Sequence, residues 1–338
     1  MDRDASADDA ALRIAAWNTW LLAPRLWPGG PHVPGGERFF APDVGVRAPL
    51  VGEALAGRFD VAALSECFEA SERNAVASTW PAAQLVEGPR PGFTSLTSSG
   101  LATLIDPTNV SLTLVKRHAY RSGFDLRDSD SLATKGALLT TIRLGTAGPE
   151  VDVVSTHLVA GGDLLPLPGA NDQARHHSAR MAQVNELLAF IDRQHDPANP
   201  LLLVGDLNVA AHDPDPDLDD PTVRYRDLAE RLGSVGLEDL WPAHGVGPGH
   251  TCSFTDPADI PTATDDSDAV RDDPEADPRT APGERIDYLW LAVPDGVEVD
   301  IDRPRRWAFR GRSARGGAAG SLSDHLALST TLHVRRVG

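Results

Sequence analysis

The sequence predicts an α/β domain of packed layers, on three observations. Eight short apolar runs recur between residues 12 and 334, stretches with helical spacing fall between some of them, and neither an internal repeat nor a Gly/Ser linker divides the chain. At 338 residues, 41% of them apolar, the chain is long enough for one large domain with a real core.

The elements follow in order. "LRIAAWNTW" (12–20) reads as a first strand, and "RAPLVGEALAG" (47–57) as a helix. Strands are expected at "FDVAALSECF" (59–68), "LATLIDP" (101–107), "ALLTTIRL" (137–144) and "VDVVSTHLV" (151–159), each a short apolar run bounded by turn formers. The clearest helix is "NDQARHHSARMAQVNELLAFIDRQ" (171–194). His177, Met181, Val184, Leu188 and Ile191 form its period-3.6 stripe, and Asn171 or Asp172 is placed to cap it. "PLLLVGDLNV" (200–209) is a strand, "TVRYRDLAERLGSVG" (222–236) a helix, and "RIDYLWLAV" (285–293) and "HLALSTTLHV" (325–334) are the last strands.

Charge is unevenly placed. Of the net −18, residues 1–10 carry −3, residues 211–220 carry −5 and residues 256–277 carry −8, so the remaining scaffold is nearly neutral. These Asp-rich stretches read as solvated loops or disorder: a tail over 1–10 and an insertion at about 256–283 in a single domain over 11–336. The acidic total opposes non-specific nucleic-acid binding. One segment runs the other way: "DRPRRWAFRGRSAR" (302–315) has six Arg with Trp307 and Phe309 interleaved, suited to phosphates, an anionic surface or simply solvent. "WLLAPRLWPGGPHVPGGERFF" (20–40) is rich in Trp, Leu and Phe for a loop, and either meets a membrane surface or packs back on the core. No run is long enough to span a bilayer. The N-terminus shows no signal-peptide pattern, so the expectation is a cytoplasmic protein, or a secreted one if the N-terminus was trimmed. Cys67 and Cys252 can pair, although their spacing does not require it, and no zinc pattern exists.

The strand ends carry the chemistry. Asn18, Glu66 and His157 close three expected strands; Asp206 and Asn208 close a fourth and, two apart in a strand, share a face. Asp287 lies in a strand, and Asp324 and His325 precede the last one. Singly, each reads as a turn former or a core histidine. Together they put carboxylates, carboxamides and two imidazoles on one sheet edge. Glu, Asp and Asn offer oxygen to a hard cation such as Mg²⁺, with Mn²⁺ as the alternative. Two histidines without Cys suit acid–base work. Phosphodiester hydrolysis uses all of these parts.

"WNTW", "SE", "STHLVA", "GDLNV", "RIDYLWL" and "SLSDHLAL", in this order, resemble the motifs of the endonuclease/exonuclease/phosphatase superfamily over nearly the whole chain. "TKGALLTTI" and "STHLVAGG" followed by "HHSARMAQVNELLAFI", with Arg180 and Gln183, are similar to segments of neutral sphingomyelinases. The resemblance implies a four-layer α/β/β/α sandwich with two central mixed sheets. It also implies a Mg²⁺-dependent phosphodiesterase acting on a phospholipid head group, or alternatively a nuclease or a sugar-phosphate or inositol-phosphate phosphatase with the same site. It implies Glu66 on the metal, with Asn18 beside it on metal or phosphate, and His325 as general base. Asp287, or in competition Asp324, would orient His325; Asp206 and Asn208 would position water and phosphate. His157 would meet the oxyanion or leaving group, and Lys135 would be an additional cation. The 256–283 insertion and the missing secretion signal depart from the sphingomyelinase pattern.

Overall fold

The computed structural model describes residues 10–23, 30, 41–91, 95, 97–123, 133–161, 172–213, 215, 219–252, 260–266, 268–279, 283–311 and 320–337. Two sheets carry the architecture. The first runs β11 (Val297–Ile301), β13 (Ala327–Arg336), β1 (Ala10–Leu21), β2 (Val61–Cys67), β4 (Ala102–Ile105), β3 (Gln84–Glu87), with β12 (Arg305–Trp307) also on β13. The second runs β5 (Val110–Ala119), β6 (Gly136–Leu144), β7 (Glu150–His157), β8 (Leu201–Asp206), β10 (Asp287–Ala292), β9 (Glu238–Asp239). Both are mixed: β1 and β2 are parallel, as are β7 and β8, and the other pairs are antiparallel.

Period-two alternation sorts the strand residues into layers. Ile14, Ala16, Val61, Ala63, Val153, Leu202, Val204, Leu289 and Leu291 point between the sheets and form one buried cluster. Their neighbours Ala15, Trp17, Ala62 and Leu64 point out, against Val44, Ala48, Val51 and Leu55 of α1 (Val44–Leu55). On the far side, Val154, Leu201, Leu203, Tyr288 and Trp290 face Met181, Val184, Leu187 and Ile191 of α3 (Gln173–Gln194) and Leu228 and Leu232 of α4 (Val223–Gly233). Helices outside and two sheets inside make the α/β/β/α sandwich. The strands read as continuous apolar runs because both faces of each sheet are covered. Among the described residues, no helix is long and apolar enough to cross a membrane.

Several expectations change in detail. α2 (Ala70–Ser78), α5 (Leu240–His244) and the outer strands β3, β5, β9, β11 and β12 were not evident in the sequence. The buried stripe of α3 runs through His176 and Leu187 rather than His177 and Leu188, since His177 turns to Asp227 at 2.9 Å. Asp172 is the cap, accepting from the N–H groups of Ala174 and Arg175; Asn171 lies outside the described residues. Cys67 and Cys252 are both free.

The acidic insertion and the basic segment meet each other. Arg305 pairs with Asp265 at 3.0 Å and Arg306 with Asp272 at 2.5 Å, while Arg58 holds Asp266 and Asp268. Ala269 bridges to Trp307 and is buried with Val270, so the insertion touches β12 there, while the other described residues of 260–279 are exposed or half-buried. Trp307 and Phe309 are buried and stack on each other at 5.7 Å, as core rather than ligand surface. In the 20–40 loop, Leu21 is buried and Trp20 lies against the Arg47 guanidinium; Trp27, Phe39 and Phe40 lie outside the described residues, as do residues 1–9.

Gly205 shows how tightly β8 meets its neighbour. Its φ is +132°, and a Cβ there would stand 2.0 Å from the carbonyl oxygen of Thr156 on β7. Gly205→Ala is expected to destabilise the fold by on the order of 3 kcal/mol, through overpacking at a conformation that side chains avoid. Urea denaturation measures this, and an unchanged midpoint would contradict the packing described.

Candidate active site

Strand pairing assembles the site. β7 runs parallel to β8 with His157 opposite Asp206, and β10 runs antiparallel to β8 with Asp287 opposite the same Asp206. Cross-strand partners share a face, so an imidazole and two carboxylates stand in one row at the end of the second sheet. In the first sheet, Asn18 pairs with Ser65, which sets Asn18 and Glu66 at the adjoining edge. His325 comes in on the segment leading into β13.

Asn18 ties the two sheets together. Its Nδ2 donates to Glu66 Oε1 at 3.0 Å and to Asp206 Oδ2 at 2.9 Å. Its Oδ1 accepts from the Trp20 N–H at 3.1 Å, so the nitrogen, not the oxygen, faces the carboxylates. A cation would receive an oxygen from Asn18 only if the amide turned over. His157 Nε2 stands 3.9 Å from Glu66 Oε1 and 3.7 Å from Asp206 Oδ2, beyond hydrogen-bonding distance. Lys135 is buried rather than on the surface, with Nζ 3.3 Å from His157 Nδ1. His325 Nδ1 and Asp287 Oδ2 are 2.8 Å apart. Asp324, the competing partner, instead has its Oδ1 3.3 Å from Ser323 Oγ. Asn208 reaches Asp206 differently from the strand alternation expected. β8 ends at Asp206, Asn208 takes a left-handed backbone (φ 52°), and its N–H donates to Asp206 Oδ1 at 2.9 Å. Glu66 is also left-handed, at φ 57°. Such conformations cost about 1–3 kcal/mol each and persist where surrounding structure holds them.

Several supporting residues escaped the sequence reading. Arg47 is buried in α1 and donates to the carbonyls of Pro42, Thr19, Trp20 and Leu322, clamping the exit of β1 to the segment that carries His325. A signal existed: Arg47 lies on the helical stripe with Val44, Ala48, Val51 and Leu55, where an unpaired cation would be costly. Ser323 Oγ donates to Asn18 O and accepts from the His325 N–H, and Trp17 Nε1 donates to His325 O. Thr251 Oγ1 accepts from the Asp287 N–H at 3.1 Å, and nothing local distinguishes it from other threonines. Two residues that the sequence did single out act alongside them: Arg180 Nε donates to Val159 O at 2.8 Å and Gln183 Oε1 accepts from the Val159 N–H at 2.9 Å, so α3 holds the chain leaving His157.

The electrostatics follow from burial. Burial, then the Asp287 charge, pushes Asp206 up to about 7, and burial also raises Glu66 and Asp324. Burial alone would lower His325, but the charge and hydrogen bond of Asp287 outweigh it and carry the imidazole well above its ordinary value. Burial, with Lys135 and His325 adding to it, holds His157 well below. Carboxylates driven toward their acid forms by burial mark a place short of positive charge. Ligand atoms of Glu66, His157 and Asp206, and of Asp206, Asp287 and His325, lie within 4.8 Å of one another in each group. This oxygen-rich set fits a hard divalent cation.

Neither a family model nor a curated protein matches the sequence. Solved structures do match its fold. A mutant of beta toxin from Staphylococcus aureus with bound magnesium ions is similar at TM-score 0.60 and 17% identity, over 94% of this chain and 98% of that one. An endonuclease/exonuclease/phosphatase family protein from Bacteroides thetaiotaomicron is similar at TM-score 0.61 and 15% identity, over 96% and 98%. D. rerio TDP2 complexed with single strand DNA product is similar at 0.57 and 13%, over 96% and 99%. The chain has the endonuclease/exonuclease/phosphatase fold.

Proposed function

We propose that this chain is a divalent-metal-dependent phosphoric ester hydrolase that cleaves a phospholipid head group in the manner of a phospholipase C or sphingomyelinase. The observation that carries the reading is the His157–Asp206–Asp287 row with His325 hydrogen-bonded to its last member. Glu66 and Asp206 would hold the ion, with Asn18 beside them. When bound, the cation polarises the phosphoryl oxygens and offsets the carboxylates that keep a proton on His325.

The chain's own residues do the rest. Asp287 accepts from Nδ1–H of His325, fixing the tautomer that leaves Nε2 as base. His325 takes the proton of the attacking water as its oxygen bonds to phosphorus, and the phosphorus–alkoxide bond opposite breaks. Asp206 and Asn208 orient the water and the phosphate. His157, held neutral by burial and Lys135, donates a hydrogen bond to the developing charge. The departing alkoxide takes up a proton to leave as the lipid alcohol.

A nuclease using the same site is the second reading, favoured by the fold shared with TDP2. Against it stands the ion-pairing of Arg305 and Arg306 to the insertion, which removes charge from the main basic segment. A panel with Mg²⁺ tests both: sphingomyelin, phosphatidylcholine, phosphatidylethanolamine, inositol phosphates, abasic duplex DNA and single-stranded DNA. The expected result is cleavage of the phospholipids alone, abolished by EDTA and restored by Mg²⁺ or Mn²⁺. Cleavage of DNA alone would replace this reading with the second, and activity unaffected by EDTA would remove the metal.

A further inference from the structure

A cavity of about 820 Å³ adjoins the candidate site, sharing Asn208 with it and touching Ile286, the chain neighbour of Asp287. It opens between the segment following β8 and the first turns of α3 and α4. Its walls are mostly polar, including Arg180, Arg224, Asp213 and Glu284, and among the described residues its lining contains no aromatic ring. The described part of that lining does not suit an acyl chain, and it supplies neither a nucleobase stack nor the aromatic cage that trimethylammonium groups prefer. Arg180 is turned to the carbonyls of Val159 and Ala160, and Arg224 to Gln173. Asp219, also on the wall, is ion-paired with Arg226. Among the described residues, Asp213 and Glu284 have no such ion pair. Burial, then the Asp213 charge, pushes the Glu284 carboxyl up, against an opposing contribution from Arg180.

We infer that this cavity receives the polar substituent of the substrate phosphate and that the substituent carries a primary ammonium, bound by Glu284 and Asp213. An –NH₃⁺ group offers three donors to acceptors of this kind, where a trimethylammonium offers none. The inference rests on the proposed function and narrows its substrate to amino-alcohol phosphodiesters, ethanolamine being the smallest probe.

The test uses two diesters with one leaving group, p-nitrophenyl phosphoethanolamine and p-nitrophenyl phosphocholine, and bis(p-nitrophenyl) phosphate as a reporter without a head group. Wild-type kcat/KM is expected to favour the ethanolamine diester by about tenfold or more, the scale of a charge-assisted hydrogen bond. In Glu284→Gln and in Asp213→Asn this ratio should fall toward one. Because a ratio does not depend on the fraction of folded enzyme, a poorly folding variant leaves the reading intact. A wild-type ratio at or below one, or a ratio unchanged in both variants, overturns the inference while hydrolysis of bis(p-nitrophenyl) phosphate keeps the proposed function standing. No hydrolysis of any of the three with Mg²⁺ overturns the proposed function, and this inference with it.

Discussion

His325→Ala is expected to lower kcat by about 10²–10⁴-fold, the range of a positioned general base, while Mg²⁺ affinity stays close to that of the wild type. The reason is geometric. Nδ1 of His325 is committed to Asp287 at 2.8 Å, which leaves Nε2 as the nitrogen that would take the proton of the water in the proposed mechanism. Asp287→Asn should reproduce most of the loss, because a neutral amide no longer stabilises the imidazolium and its NH₂ can donate to Nδ1, favouring the other tautomer. Titrating Mg²⁺ by calorimetry alongside single-turnover hydrolysis separates the two effects. If affinity fell as far as kcat did, His325 would be a metal ligand and the base would have to be sought elsewhere.

Asp206→Asn is expected to cost about 10³-fold in activity and yet to relieve the metal-free fold. With its carboxyl raised from 3.8 to about 7, the folded protein holds a proton there that the unfolded chain has released. Stability linked to Asp206 is therefore present in full below about pH 4 and is lost as pH rises toward 7, by on the order of a few kcal/mol. Above that range both states are ionised and the penalty is constant. Asp206→Asn removes this group from the balance, so its urea midpoint in EDTA should fall less between about pH 5 and 7.5 than that of the wild type. Mg²⁺ should flatten the wild-type curve as well, by stabilising the ionised native site. Equal pH slopes in the two proteins would mean that Asp206 is not crowded as described.

The polar residues at the strand ends were legible because a run such as "LLLVGDLN" ends four apolar residues in a carboxylate and an amide, a turn former or a ligand when read singly and a site when six segments end alike. What stood out less was support. Arg47 was visible only as a misplaced cation on an apolar stripe, and Thr251 not at all. The basic segment misled for a related reason. Trp307 and Phe309 look exposed beside six arginines, but both are buried and stack on each other, while Arg306 turns to Asp272 and Arg305 to Asp265. A sequence shows that acidic and basic stretches exist; it does not show that they neutralise each other.

By itself, the sequence determined the layered α/β class, most of the inner strands and the identity of the polar groups at their ends, since alternation and burial are local properties of the chain. Only the tertiary structure decided that Asp206 stands between His157 and Asp287, that His325 takes Asp287 over Asp324, and that Asn208 reaches its place through a left-handed turn. Those outcomes depend on register between strands separated by tens of residues, and register is set by pairing and packing across the sheet, which no local pattern encodes.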